Sequence, residues 1–118
     1  MDNEYVLLEK RGKVAIVTMN RPDRMNALGR EVSRQLAEVI ARVEADPEVL
    51  VAVITGAGDK AYSVGADLKD PATHSSDSVA DSIDMFTAWC VNDPIQNMRK
   101  PIISAVNGFC AGGGLEQA

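Results

Sequence analysis

An α/β fold is the expectation from three features of the sequence. Two β-rich segments flank a glycine-containing turn near the start, one stretch repeats apolar residues three and four apart, and two short apolar runs each lead into glycine. Of the 118 residues, 46% are hydrophobic and 25% charged, a balance that suits one small globular domain and not a disordered chain.

Taken in order, residues 5–8 and 14–19 are rich in β-formers and bracket Lys10-Arg11-Gly12-Lys13, which predicts a hairpin. Asn20-Arg21-Pro22-Asp23 breaks that pattern. Val32, Leu36, Val39, Ile40 and Val43 then recur at helical spacing, with Glu31, Arg34, Glu38 and Arg42 between them, so an amphipathic helix is expected to end near Asp46-Pro47. Residues 50–55 form an apolar run before Gly56, as a strand covered on both faces would. Between 76 and 91, Val79, Ile83, Phe86 and Cys90 again keep helical spacing, and Asn92-Asp93-Pro94 either ends that helix or restarts it with proline in the first turn. Residues 101–106 read as another buried strand, followed by Asn107-Gly108 and then Gly112-Gly113-Gly114 at the start of a helix.

No solenoid repeat and no Pro- or Ser-rich linker divides the chain, so residues 1–118 are read as a single domain. A buried strand and glycine turn of this kind normally lead into a helix that covers the sheet. The sequence stops where that helix begins; the expectation is a longer protein, the alternative an oligomer partner that supplies the cover.

The net charge of −5, with no basic run, argues against a nucleic-acid partner, because nothing neutralises a phosphate backbone. No apolar stretch approaches the roughly 20 residues that span a bilayer, and Met1-Asp2-Asn3-Glu4 is acidic where a secretory signal is basic, so no membrane association and a cytoplasmic location are expected. Cys90 and Cys110 lack CxxC spacing and read as buried free thiols. His74, the sole histidine, lies in a polar loop-like stretch; neither a Ser-His-Asp triad nor a metal cluster is expected.

Two segments remain as candidates for chemistry: Ala61-Tyr62-Ser63-Val64-Gly65-Ala66-Asp67-Leu68-Lys69 and Asn107-Gly108-Phe109-Cys110-Ala111-Gly112-Gly113-Gly114-Leu115-Glu116. Small residues let a ligand approach the main chain, and amides at a turn entering a helix lack intrahelical partners, so they can meet an anion. The glycines equally fit tight turns. Neither GxGxxG nor GxxxxGK[ST] is present, and the first strand belongs to a hairpin, which weakens a nucleotide reading.

With Asn20-Arg21-Pro22 and Asn26-Ala27-Leu28 preceding them, these segments make the chain resemble the crotonase superfamily, also called the enoyl-CoA hydratase/isomerase family. The likeness runs from about Tyr5 to the last residue and covers about the amino-terminal half of a typical member. It implies a crotonase-like α/β fold, a spiral of repeated β-β-α units, acting on an acyl-coenzyme A thioester. The backbone N–H groups of Ala66 and Gly113 are implied to form an oxyanion hole for the thioester enolate, where one donor is worth roughly 3 kcal/mol, about a hundredfold in rate. Glu116 falls where the hydratases carry the first of two catalytic glutamates; outside the motif it is a first-turn carboxylate that complements the helix dipole. Ala66, Asp67, Leu68 and Lys69 resemble the stretch along the adenine and pantetheine, and Arg24 to Ala27 the loop near the phosphates, with Asp67 expected to hold its turn.

Hydration of a 2-enoyl-CoA leads among the implied reactions. A double-bond isomerase, a decarboxylase, a thioester hydrolase and a non-catalytic CoA-binding subunit stay open, because the second glutamate would lie beyond Ala118. The family implies no cofactor, coenzyme A being part of the substrate, and a homotrimer or hexamer. Two positions depart from its pattern: Gln117 stands where leucine is commoner, and Pro94 interrupts a helix that is commonly continuous.

Overall fold

The computed structural model describes residues 4–70 and 92–118. Strands β1 (Val6–Arg11), β2 (Val14–Met19), β3 (Val51–Gly56) and β5 (Ile102–Ala105) form one sheet in that order, and β4 (Ala61–Ser63) pairs with β6 (Phe109–Cys110) in a second. The helices are α1 (Arg30–Ala45), α2 (Asn92–Gln96) and α3 (Gly113–Gln117), with a 3₁₀ turn at Pro22–Arg24.

β1 and β2 make the expected antiparallel hairpin, but the strands run up to Arg11 opposite Val14, so the turn shrinks to Gly12 and Lys13. Gly12 has φ +59°, the left-handed value a tight two-residue hairpin needs at its first loop position. From β2 the chain crosses through α1 to β3, which lies parallel to β2, and β5 continues parallel to β3.

The five apolar residues that predicted α1, Val32, Leu36, Val39, Ile40 and Val43, are its buried residues. They join Val6, Ala15, Val17, Met19, Ala52, Ile54 and Tyr62 in one core. α1 has no local side-chain cap at its start, whereas at its end the Asp46 N–H closes on the Val43 carbonyl at 3.3 Å. Gly29 at its N-cap has no side chain to offer, and Asp70 Oδ2 accepts the Arg30 N–H at 2.9 Å instead. At the other end Lys100 Nζ donates to the carbonyls of Val43, at 2.7 Å, and Asp46. Gln35 Oε1, midway along, accepts the Tyr5 and Val6 N–H groups at 2.8 and 3.2 Å and fixes β1 to the helix.

Two expectations need correction. β3 is not covered on both faces: Ala52, Ile54 and Gly56 are buried, Val51, Val53 and Thr55 are half-buried, and Leu50 is 58% exposed. Residues 101–106 are not a buried strand either, since Ile103 is 56% and Val106 52% exposed and no residue of β5 is fully buried. The reason is position. β5 is the last strand in the sheet order and has only β3 beside it among the described residues, so little of this segment packs against it.

Pro94 stands third in α2, within the first turn of a short helix. His74, Cys90 and the helix expected over 76–91 lie outside the described residues. Cys110 is a free thiol, half-buried where burial was expected. No helix among the described residues is long and apolar enough to cross a membrane.

Candidate functional site

The Asn20-to-Leu28 segment owes its shape to one buried asparagine. After the 3₁₀ turn, Met25 and Asn26 both adopt left-handed backbone, φ 50° and 53°, which asparagine tolerates better than most residues. The Asn26 side chain leaves no polar atom idle. Its Oδ1 accepts the Arg21 N–H at 2.9 Å, and its Nδ2 donates to the carbonyls of Ala57 and Ala61 at 3.0 and 2.8 Å. Asn26 therefore holds the turn against the entrance to β4.

β4 then delivers the second motif. Ser63 Oγ donates to the Asn26 carbonyl at 2.8 Å and accepts the Gly65 N–H at 3.2 Å, while Val64 N–H reaches the Met25 carbonyl at 3.2 Å. One rung further, Leu28 and Ala66 form a parallel bridge: Leu28 N–H donates to the Gly65 carbonyl at 2.7 Å and Asp67 N–H to the Leu28 carbonyl at 3.1 Å. In that geometry the residues flanking Ala66 make the bonds, and its own N–H faces away from Leu28.

Asp67, which is buried, closes the turn. Its Oδ1 accepts the Lys69 N–H at 3.0 Å and its Oδ2 takes a hydrogen bond from Arg21 Nη1, also at 3.0 Å. With side-chain exposures of 15% and 9%, Arg21 and Asp67 form a largely desolvated ion pair, and the guanidinium lies 4.8 Å from the centroid of the Tyr5 ring. The first and second motifs are thus locked together by charge as well as by the main chain.

The third motif is held against the second by close backbone approach. Ala111 N–H donates to the Ser63 carbonyl at 3.1 Å, and a Cβ on Gly114 would lie 2.2 Å from that same oxygen. Gly65, at φ +87°, presents its bare Cα to the start of α3; a Cβ there would come within 2.7 Å of the Gly113 nitrogen. Within α3 the Gly114, Leu115 and Glu116 N–H groups bond back to Ala111 and Gly112 carbonyls. Among the described residues neither the Ala66 nor the Gly113 N–H has a hydrogen-bond acceptor.

The structure brings the segments bearing Ala66 and Gly113 into contact and leaves Glu116 exposed on α3, three residues after Gly113. Leu68, at 70% exposure, and Lys69 stand out from the turn that Asp67 closes. Arg24 is exposed in the 3₁₀ turn, whereas Ala27 is buried and its carbonyl accepts from Arg21 Nη1 at 3.4 Å. The sequence reading missed Asn26, Ser63 and Arg21 as organisers of the site. It also missed a buried polar contact: Gln117 Nε2 donates to Tyr62 Oη at 3.1 Å.

Residues 9–118 match the family described as Enoyl-CoA hydratase/isomerase. The chain is 39% identical over 118 residues to the short-chain-enoyl-CoA hydratase of Clostridium acetobutylicum, covering 100% of this chain and 44% of that protein. It is 43% identical over 118 residues to the (E)-benzylidenesuccinyl-CoA hydratase of Thauera aromatica, with 96% and 43% covered. A crystal structure of an enoyl-CoA hydratase/isomerase from Xanthobacter autotrophicus Py2 superposes with a TM-score of 0.90 at 31% identity, over 98% of this chain and 43% of that one. The chain spans less than half the length of these relatives. Sequence profile, relatives and fold agree: this chain belongs to the enoyl-CoA hydratase/isomerase family and has its crotonase-type α/β architecture.

Proposed function

We propose that the protein containing this chain adds water to the double bond of a 2-enoyl-CoA thioester. The observation that carries the reading is the seating of Gly65 against Gly113, which sets two segments side by side whose next amides, Ala66 and Gly113, have no acceptor among the described residues. Addition of water at the β-carbon drives electrons through the conjugated system onto the thioester oxygen. Two main-chain donors meeting that oxygen stabilise the enolate, and because they are main-chain groups they need no reorganisation when the charge develops. Glu116 supplies the carboxylate that takes the proton from water, and a proton delivered to the α-carbon discharges the enolate and completes the 3-hydroxyacyl product. Its exposure on α3 leaves it accessible to substrate.

Hydratases among the relatives at 38 to 43% identity favour this reaction over the others that share an enolate. Leu68 and Lys69, projecting from the Asp67 turn, and Arg24 on the 3₁₀ turn offer apolar and cationic contacts to the coenzyme A moiety; Asp67 and Ala27 contribute by shaping the walls. We read the chain as the amino-terminal portion of a single crotonase-like domain in a cytoplasmic trimer or hexamer, needing no cofactor beyond the coenzyme A of its substrate.

The test is Glu116→Gln in the complete protein. Hydration of a short 2-enoyl-CoA, followed by loss of its conjugated thioester absorbance, is expected to fall at least roughly a hundredfold, while 3-hydroxyacyl-CoA binding changes little. Unchanged turnover would remove Glu116 from the mechanism.

A further inference from the structure

Next to Glu116, Gln117 is a buried polar residue at 7% exposure, and its Oε1 has no hydrogen-bond partner among the described residues. Its Nε2 donates to Tyr62 Oη at 3.1 Å and lies 3.4 Å from Met19 Sδ. Tyr62 is fully buried, and its hydroxyl in turn donates to Ser104 Oγ at 3.4 Å. A polar relay therefore runs through the core from β5, across β4, to α3.

We propose that Gln117 is a positioning residue for the reaction, holding α3 in register with the Gly65 turn through Tyr62. The inference rests on the hydratase reading of the site. An apolar residue of similar size would fill the same space without burying an amide whose oxygen goes unmatched among the described residues, so packing alone does not call for a polar side chain here. What it adds is direction. Packing alone lets a short helix slide or rotate by a few tenths of an ångström, whereas a hydrogen bond to Tyr62 fixes α3 against the strand that, two residues later, leads into Val64, Gly65 and Ala66. Gly113 and Glu116 are carried by α3, and Ala66 follows β4. Gln117 and Tyr62 thus bridge the two elements that carry the proposed donors, and a buried hydrogen bond is the device that selects one geometry among several of similar packing.

The experiment uses Gln117→Met, which keeps length and volume but removes the amide, together with Tyr62→Phe and the double variant, all in the complete protein. With a short 2-enoyl-CoA, each single variant is expected to lower kcat about tenfold with KM within about twofold, and the double variant to lose no more than either one. A merely structural role would lower the melting temperature instead; Gln117→Met is expected to melt no lower than wild type. A second readout does not depend on turnover: a bound β-ketoacyl-CoA is expected to show a weaker enolate absorbance in the near ultraviolet in Gln117→Met. Ser104→Ala, on β5, should shift both readouts in the same direction should either core variant fail to fold. Active wild type with kcat and enolate absorbance unchanged in the variants would overturn the relay alone. Wild type with neither turnover nor an enolate band would overturn the hydratase reading and the relay with it.

Discussion

Alanine at Gly65 would bring a methyl group 2.7 Å from the Gly113 nitrogen, where ordinary contact begins at 3.4 Å. Relief requires the Gly65 turn and the start of α3 to part by about 0.7 Å, the shortfall between those two distances. Displacing a catalytic constellation on the scale of ~1 Å costs roughly a hundredfold in rate, close to the loss of one oxyanion donor at ~3 kcal/mol. Alanine at φ +87° is also strained, by ~1–2 kcal/mol. Gly12→Ala separates these effects, because Gly12 has φ +59° but nothing within 4 Å of its would-be Cβ. Urea unfolding and hydration of a 2-enoyl-CoA are measured on both variants of the complete protein. Gly12→Ala is expected to lose ~1–2 kcal/mol at unchanged turnover, and Gly65→Ala to lose more and to turn over roughly a hundredfold more slowly. Gly65→Ala with turnover within about twofold of wild type and a stability matching Gly12→Ala would refute the proposed closeness of the two donors.

Arg21→Met removes one partner of the Arg21–Asp67 pair and is expected to cost ~3 kcal/mol, the low end for a buried pair because Asp67 keeps the Lys69 N–H. Urea unfolding at fixed protein concentration measures it, and a loss under about 1 kcal/mol would mean the pair behaves as a surface ion pair. On the outer face of α1, hydrogen bonds from Arg34 and then Gln35 hold the Glu31 carboxyl down to about 2, from an ordinary 4.5. The stabilisation this pairing gives is fully present above 4.5 and is lost as pH falls toward 2, so the melting temperatures of wild type and Glu31→Gln should converge over that interval. Parallel curves across it would show that the pairing does not affect stability, and added salt should shrink the gap at neutral pH.

Periodicity made α1 legible down to its five buried side chains, because the stripe of a helix is written in the order of its residues. Burial of β3 and β5 was misread for a complementary reason: an apolar run records a preference for extended backbone, whereas burial depends on what packs over each face, and in β3 only the face of Ala52 and Ile54 meets the core. β4 and β6, three and two residues long, are too short for any period to show. The motifs drew attention to the right segments, and Gly65 does meet Gly113. What fastens those segments was hidden. Arg21 and Asp67 are 46 residues apart, and Tyr62 and Gln117 are 55 apart, so no local spacing rule links either pair.

The borrowed caps of α1 bear on how the chain is made. As the nascent polypeptide leaves the ribosome, the donor at the helix start stays unmatched until Asp70 emerges 40 residues later, whereas the carbonyl of Val43 already holds the Asp46 N–H and gains Lys100 as a second donor 57 residues on. α1 is therefore expected to fray at its start through much of translation and to be completed only when Asp70 arrives, which ties the order of folding to the order of synthesis.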